Sequence, residues 1–240
     1  MPDPTIENVL GRSVWDSRGR PTVEVEVWLK DGSIGRAIAP AGASKGEGEA
    51  LDLRDGGDRF GGQGVDTAVA NVNAAISAGL KGRAATDQAG ADAILVALDG
   101  RADRSHLGAN AMIATSMAVA HAASGSAHQP LWRYLHSGGE VTLPVPEIQI
   151  FGGGAHADGQ MDLQDFMVVP YGASSFREAM EWTSEVYRAA GALLSAKGKL
   201  TGVADEGGYW PSFDSNEHAI DMLVRSIEAA GLSSERQMGV

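Results

Sequence analysis

The clearest hydrophobic pattern near the start of the chain is a strict alternation of apolar and polar positions. The apolar members are Val23, Val25, Val27 and Leu29, and between them stand Glu24, Glu26 and Trp28. A period of two predicts a half-buried strand. Asp31-Gly32 is a turn signal, and residues 34–39 can run back beside the first strand. The pattern therefore predicts a β-hairpin.

Three later segments repeat apolar residues at helical spacing. They contain, in order, Val65, Val69, Val72 and Ile76; Ala91, Leu95 and Leu98; and Leu107, Ala111, Ala114 and Ala118. Spacings of three and four residues place each set on one face of a helix. A small antiparallel sheet followed by helices predicts an α+β domain over residues 1–138.

Strands and helices are predicted to alternate after the linker Gly138-Gly139-Glu140. Short apolar strands are predicted at 145–151 and 166–169, and a third strand is predicted to end at Asp205-Glu206. The first of two helices has Phe176, Met180, Thr183, Tyr187, Ala190 and Leu194 on one side. This alternation predicts α/β layering for residues 141–240.

The second of these helices has a predicted start as well as an apolar face. The face consists of Ala219, Ile220, Leu223, Val224 and Ile227. Asp214 or Ser215 is the predicted N-cap, and Glu217 lies at capping-box distance from Asp214.

Composition and charge exclude several functions for the 240-residue chain. Hydrophobic residues make up 43% and charged residues 21%, which is ordinary for a globular protein. The net charge of −12 argues against a general nucleic-acid surface, although a local basic or metal site still permits a phosphorylated substrate. With no cysteine, disulfides and thiolate chemistry are excluded. The acidic N-terminus and the lack of a long apolar run predict neither a secretory signal nor a membrane span, so we expect a cytoplasmic protein.

The strongest candidate for chemistry is the run Val203-Ala-Asp-Glu-Gly-Gly-Tyr-Trp-Pro211. In an extended segment the neighbouring carboxylates Asp205 and Glu206 point to opposite faces, so one can serve structure and the other a cleft. Gly207-Gly208 then permits a turn beside them. A solvated acidic turn is the alternative interpretation of this run alone.

Eight further segments, taken together with this run, carry a resemblance to a known family. In order they are Asp16-Ser-Arg-Gly-Arg-Pro-Thr-Val-Glu-Val-Glu-Val27, Pro40-Ala-Gly-Ala-Ser-Lys-Gly46, Leu53-Arg-Asp-Gly56, Leu107-Gly-Ala-Asn-Ala111, Pro130-Leu-Trp-Arg-Tyr-Leu135, Leu143-Pro-Val-Pro146, Gly152-Gly-Gly-Ala-His-Ala157 and Gln164-Asp-Phe-Met167. At these spacings the chain resembles the enolase family from about Ile6 to about Leu232. The resemblance implies an α+β N-terminal domain followed by an enolase-type α/β barrel with a strand-strand-helix-helix start.

The length of the second part suggests that the barrel is incomplete. A closed barrel takes roughly 250 residues, so residues 141–240 are expected to hold under half of one. The resemblance implies a lyase that dehydrates 2-phosphoglycerate to phosphoenolpyruvate in glycolysis. The family's catalytic lysine and its carboxylate ligands for the first Mg²⁺ are expected beyond residue 240. The isolated chain is therefore expected to be inactive.

The resemblance also implies roles for individual residues. Glu206 matches the glutamate that helps to protonate the leaving hydroxyl, and Asp165 stands where the family has a second glutamate. His156 matches a substrate-binding histidine in a glycine-rich loop. Ser44 matches a serine that ligates the second Mg²⁺ when its loop closes, with a flexible small-residue loop as the alternative. Lys45 replaces a threonine, so it either contacts an anionic substrate or disturbs the second metal.

Other departures from the family pattern leave the substrate open. Gly152 stands where the family usually has asparagine, Ala41 stands where it has serine, and Asp165 is one bond shorter than glutamate. Asp165 is therefore either poor at acid catalysis or suited to a different substrate. The alternatives are a paralogue of the carboxyphosphonoenolpyruvate synthase type, which acts on a related phospho- or phosphono-carboxylate, and a non-catalytic interaction protein.

The resemblance sets the expected partners and the remaining structural motifs. It implies a phosphorylated three-carbon acid substrate and a homodimer formed through the N-terminal domain. No nucleic acid or membrane is expected as a partner. The segments around Arg18 and Arg54 are predicted to be structural, because a guanidinium can pair with carboxylates in two-point contacts.

Overall fold

A computed structural model of the chain describes residues 3–39, 41–42, 45–136, 138–154, 161–204 and 206–240. The chain divides into two compact units, Met1–Gly138 and Gly139–Val240. Each unit has a hydrophobic core of its own.

The first unit contains a three-stranded antiparallel sheet. Its strands are β1 (Ile6–Trp15), β2 (Pro21–Leu29) and β3 (Ile34–Ala39), in the order β1-β2-β3. The predicted hairpin of β2 and β3 is confirmed, with Val25 opposite Ala37. Strand β1 was not predicted. Its register with β2 shifts between Ile6 and Asn8, and such a bulge interrupts the alternation that reveals a strand.

Helices cover one face of this sheet. They are α1 (Asp66–Asn71), α2 (Ser77–Leu80), α3 (Gln88–Asp99), α4 (Ala109–Ser126) and α5 (Leu131–Leu135). A π-type segment, Val72–Ile76, joins α1 to α2. Helix α4 lies so close to β3 that a Cβ on Gly35 would be 2.1 Å from the carbonyl oxygen of Ala118. Only glycine permits this approach of helix to sheet.

Polar side chains hold the loops of the first unit against its core. The Asn110 amide exchanges two hydrogen bonds of 3.2 Å with the backbone of Leu53. The Arg54 guanidinium donates to the carbonyl oxygens of Pro21 and Gln63 at 2.7 and 2.9 Å. Arg54 therefore holds the backbone of its loop in place, and its contact with Asp52, at 3.3 Å, is longer.

The second unit follows the order strand, strand, helix, helix. Strands β4 (Ile148–Gly152) and β5 (Asp165–Val168) pair antiparallel and are followed by α6 (Phe176–Ala196) and α7 (Asn216–Ala229). This is the start that the resemblance implies for an enolase-type barrel. The described residues contain no closed barrel.

The predicted third strand before Glu206 is wrong. Val203 and Tyr209 form a single bridge, and the Ala204 amide donates to the Gly208 carbonyl oxygen at 2.7 Å. The chain reverses here because Gly207 takes a φ of 97°, which favours glycine. The segment is therefore a tight turn instead of the end of a strand.

Both helices of the second unit pack on β4 and β5, but their buried faces differ slightly from the predicted ones. Phe176, Met180 and Ile220 are 44%, 40% and 43% exposed. The N-cap of α7 is Ser215, whose hydroxyl accepts from the His218 amide at 3.2 Å, so the predicted box based on Asp214 is not formed. Within the described part of the chain, no helix has the length and hydropathy needed to cross a membrane.

Candidate active site

The candidate site lies at the edge of the two-stranded sheet where β4 ends and β5 begins. Gly152, the last residue of β4, is opposite Asp165, the first residue of β5. Because the strands are antiparallel, the first residue of β5 lies at the same edge as the last residue of β4. The turn that carries Glu206 lies against β4, since the Gly152 amide donates to the Tyr209 carbonyl oxygen at 2.7 Å and the Tyr209 amide donates to Ile150 at 2.8 Å.

The side-chain amide of Gln149 connects the two candidate acids. Its Nε2 donates to Oδ1 of Asp165 and, at 3.0 Å, to Oε2 of Glu206. Its Oε1 accepts from the Gly208 amide at 3.0 Å. The amide of Gln149, a residue of β4, therefore connects this strand to β5 and to two residues of the turn, Glu206 and Gly208.

Two glycines make room for this amide. A Cβ on Gly208 would lie 2.5 Å from Oε1 of Gln149, and a Cβ on Gly152 would lie 3.3 Å from the same oxygen. The latter Cβ would also lie 2.5 Å from the Cβ of Ala204, a separation that real carbon atoms do not adopt. Gln149 thus occupies a slot that any larger residue at position 208 would close.

Asp165 is half-buried and accepts hydrogen bonds from a second amide. Nε2 of Gln164 donates to Oδ2 of Asp165 at 3.0 Å, so both carboxylate oxygens have an amide donor. Glu206, by contrast, is exposed. The two carboxyl groups therefore differ in solvent access although they share a donor.

An aromatic pair supports the Glu206 turn from helix α6. The rings of Tyr187 and Tyr209 stack with centroids 4.3 Å apart and an interplanar angle of 17°. The Tyr187 hydroxyl donates to the Gly207 carbonyl oxygen at 2.9 Å. Burial raises the pKa of Tyr187, and its contact with Tyr209 acts in the same direction, so this hydroxyl keeps its proton and remains a donor.

The other predicted site residues are placed differently. Lys45 belongs to the first unit, where its exposed side chain lines a surface cleft with Glu49, Asp52 and Ile113. Ser44 and His156, and also Asp205, lie outside the described residues. Of the predicted set, the structure brings together Asp165 and Glu206.

The sequence did not indicate Gln149 or Tyr187 as residues of this site. Gln149 sits within an apolar strand, and no spacing rule relates it to carboxylates 16 and 57 residues away. A polar residue inside a short apolar strand was the available signal.

The described residues do not form a metal centre by themselves. Across 3–39, 41–42, 45–136, 138–154, 161–204 and 206–240, no three His, Asp or Glu side chains are grouped so that they could hold a metal ion. Mg²⁺ prefers several oxygen ligands in near-octahedral geometry, and the pair of Asp165 and Glu206 is already occupied by amide donors.

Comparison with protein families agrees with this architecture. The model described as enolase, N-terminal domain, matches residues 6–135, and the model described as enolase, C-terminal TIM barrel domain, matches residues 140–240. Matches to these two domains support an enolase-type lyase in general. The two matches together span nearly the whole chain, so the chain belongs to the enolase family. Enolases generally use Mg²⁺.

Proposed function

We propose that the protein dehydrates a phosphorylated three-carbon acid, converting 2-phosphoglycerate to phosphoenolpyruvate, and that Glu206 and Asp165 form its acid side. The observation that carries this proposal is the pair of carboxyl groups held by one amide at the strand edge. Membership of the enolase family supports the reaction class.

The reaction requires such an acid. A base removes the proton from C2, the electron pair forms the C2–C3 double bond, and the C3 hydroxyl leaves. Hydroxide is a poor leaving group, so a carboxylic acid must protonate the hydroxyl and release it as water. Glu206, the more exposed of the two, is proposed as the proton donor, and the half-buried Asp165 is proposed to shape the site around it.

The proposal names no residue as the base and no set of ligands for the metal. Mg²⁺ supplies charge that stabilises the intermediate when it is bound in enzymes of this family. The described residues form no cluster of three side chains that could hold the ion. Lys45 is proposed to contact the anionic substrate, since an exposed ammonium group can reach a phosphate.

A second candidate substrate is a phosphono-carboxylate, as in enzymes of the carboxyphosphonoenolpyruvate synthase type. The observation that favours it is the geometry around Asp165. The short side chain is held by two glutamine amides, and Gly152 leaves no side chain beside it. A site with this outline differs from one built around a longer glutamate.

The experiment follows phosphoenolpyruvate formation by its absorbance, with Mg²⁺ present, in full-length native protein freed of host enolase. We expect turnover that falls by about 10²–10⁴-fold in Glu206→Gln. Glu185→Gln is the matched control, because Glu185 is an exposed residue of α6 that pairs with Arg188 on the helix surface. Equal turnover by Glu206→Gln and the wild type would refute the acid assignment. The phosphono-carboxylate is offered in parallel, and preferential turnover of it would select the second candidate.

Two further properties are part of the proposal. The isolated 240-residue chain is expected to show no turnover, because an acid alone accelerates a reaction by only about 10²–10⁴-fold. Two copies are expected to pair through the N-terminal domain in the cytoplasm. Light scattering coupled to gel filtration gives the mass of the native protein, and a monomer at micromolar concentration would contradict the pairing.

A further inference from the structure

We infer that Gln149 is a positioning residue that holds Asp165 and Glu206 at a fixed separation, and that its length is matched to the short side chain of Asp165. The kinetic part of this inference rests on the proposed function. The geometric part stands on the contacts alone.

Both the nitrogen and the oxygen of the Gln149 side-chain amide have hydrogen-bond partners. Its two N–H donors bind Asp165 and Glu206, and its oxygen accepts from the Gly208 amide. Rotation of the amide would break contacts on both sides at once. The side chain is therefore held in one orientation by two segments of the second unit, strand β5 and the turn that carries Glu206 and Gly208.

A shared donor group also sets the distance between the two carboxylates. The two N–H bonds of an amide diverge by about 120°, so acceptors at ordinary hydrogen-bond lengths lie roughly 5 Å apart. Two carboxylates at this distance repel each other, and the intervening N–H groups offset that repulsion. Without the amide, Glu206 loses the donor that it shares with Asp165.

The lengths of Gln149 and Asp165 are complementary. The slot formed by Gly152 and Gly208 fixes where the amide can lie. The contact to β5 therefore depends on the summed reach of the two side chains. Combining Gln149→Asn with Asp165→Glu shortens one side chain by a methylene and lengthens the other, so the summed reach is conserved. Either change alone leaves a gap or a clash of roughly 1.5 Å.

The kinetic test compares Gln149→Asn, Asp165→Glu and their combination in the full-length protein. Each single change is expected to lower kcat about 10–100-fold with little change in KM, because displacements near 1 Å have such effects and the loss is confined to the transition state. The combination should recover the part of the loss that comes from the contact between residues 149 and 165. Gln129→Met serves as control, because Gln129 is exposed and lies in the first unit. A combination no faster than the slower single variant would overturn the length match.

The second test needs no activity. Thermal unfolding is measured for Gln149→Met, Glu206→Ala and the double variant, and the two changes are expected to be non-additive because the side chains are in contact. The same cycle with Gln129→Met in place of Gln149→Met should be additive. If the stability changes are additive in both cycles, the proposed contact between Gln149 and Glu206 is wrong. Absence of turnover in the wild type would instead contradict the proposed function. The unfolding cycle of Gln149→Met and Glu206→Ala would then still test whether Gln149 positions Glu206.

Discussion

The Tyr187 hydroxyl on helix α6 binds the backbone carbonyl of Gly207, the residue that follows the candidate acid Glu206, at 2.9 Å. The neighbouring ring of Tyr209 stacks on Tyr187 and belongs to the same turn. The position of the acid is therefore fixed from the helix as well as from Gln149.

Tyr187→Phe is expected to loosen the turn without unfolding the second unit. The change removes one neutral hydrogen bond, worth about 0.5–1.5 kcal/mol, and keeps the stacked ring. Amide hydrogen exchange at Gly207 and Gly208 should accelerate relative to the wild type. Tyr171→Phe is the matched control, because Tyr171 is a half-exposed tyrosine elsewhere in the unit. Unchanged exchange at both glycines would contradict the support assigned to Tyr187.

Gly152→Ala is expected to destabilise the second unit, and Ala204→Gly should relieve the effect. The new Cβ would be 2.5 Å from the Cβ of Ala204, and overpacking of this kind costs about 1–3 kcal/mol. Thermal unfolding measures both variants. Gly48→Ala, at an exposed glycine with open space around it, is the control. Failure of Ala204→Gly to improve the Gly152→Ala variant would show that the clash lies elsewhere.

Gly35→Ala is expected to separate helix α4 from the sheet of the first unit. The added Cβ would meet the backbone at Ala118 and Ala122, at 2.1 and 2.2 Å, and a backbone clash cannot be relieved by a rotamer change. A loss of about 3 kcal/mol or more is expected in urea unfolding. Gly125→Ala, whose nearest new contact would be 3.9 Å away, should cost far less. Similar losses in the two variants would contradict this assignment.

Arg12→Met is expected to remove a pH-dependent contribution to stability. The Arg12 guanidinium makes two contacts with Glu26, at 2.9 and 3.0 Å, and lowers the pKa of that carboxyl. A carboxyl with a lowered folded-state pKa stabilises the fold above its unfolded pKa, about 4.3, and loses that contribution as the pH falls through the folded value. The variant should be less stable than the wild type by about 1 kcal/mol at pH 7. The difference should shrink below about pH 4.3.

The control for this prediction is Arg188→Met on helix α6. Arg188 is 71% exposed and its pair with Glu185 is a surface ion pair, which contributes little. Urea unfolding at several pH values measures both. A loss for Arg12→Met that is the same at pH 7 and pH 3 would contradict the electrostatic origin.

The sequence predicted those parts of the fold where one hydrophobic period is uninterrupted. The alternation around Val25 identified β2, but the bulge near Asn8 concealed β1. The same limit applies to the turn at Glu206, where apolar residues before the carboxylates indicated a strand although Gly207 reverses the chain.

Sequence motifs indicated the two carboxylates of the candidate site, but no motif indicated the residues that support them. Asp165 and Glu206 were found because short motifs carry them. Gln149 acts through the length of its side chain and the space left by two glycines, and a pattern of polar and apolar letters records neither. Such contacts depend on register between segments, which only the folded chain defines.

The hydrogen bonds of the Gln149 amide and of the Tyr187 hydroxyl that position the candidate site lie within one unit of the chain. Gln149, Asp165 and Glu206 lie within Gly139–Val240, as do the supporting tyrosines. A change at Gln149 therefore acts on both carboxylates through the same amide. Asp165 and Glu206 are coupled through one side chain, so a lineage that alters residue 149 alters the setting of both at once.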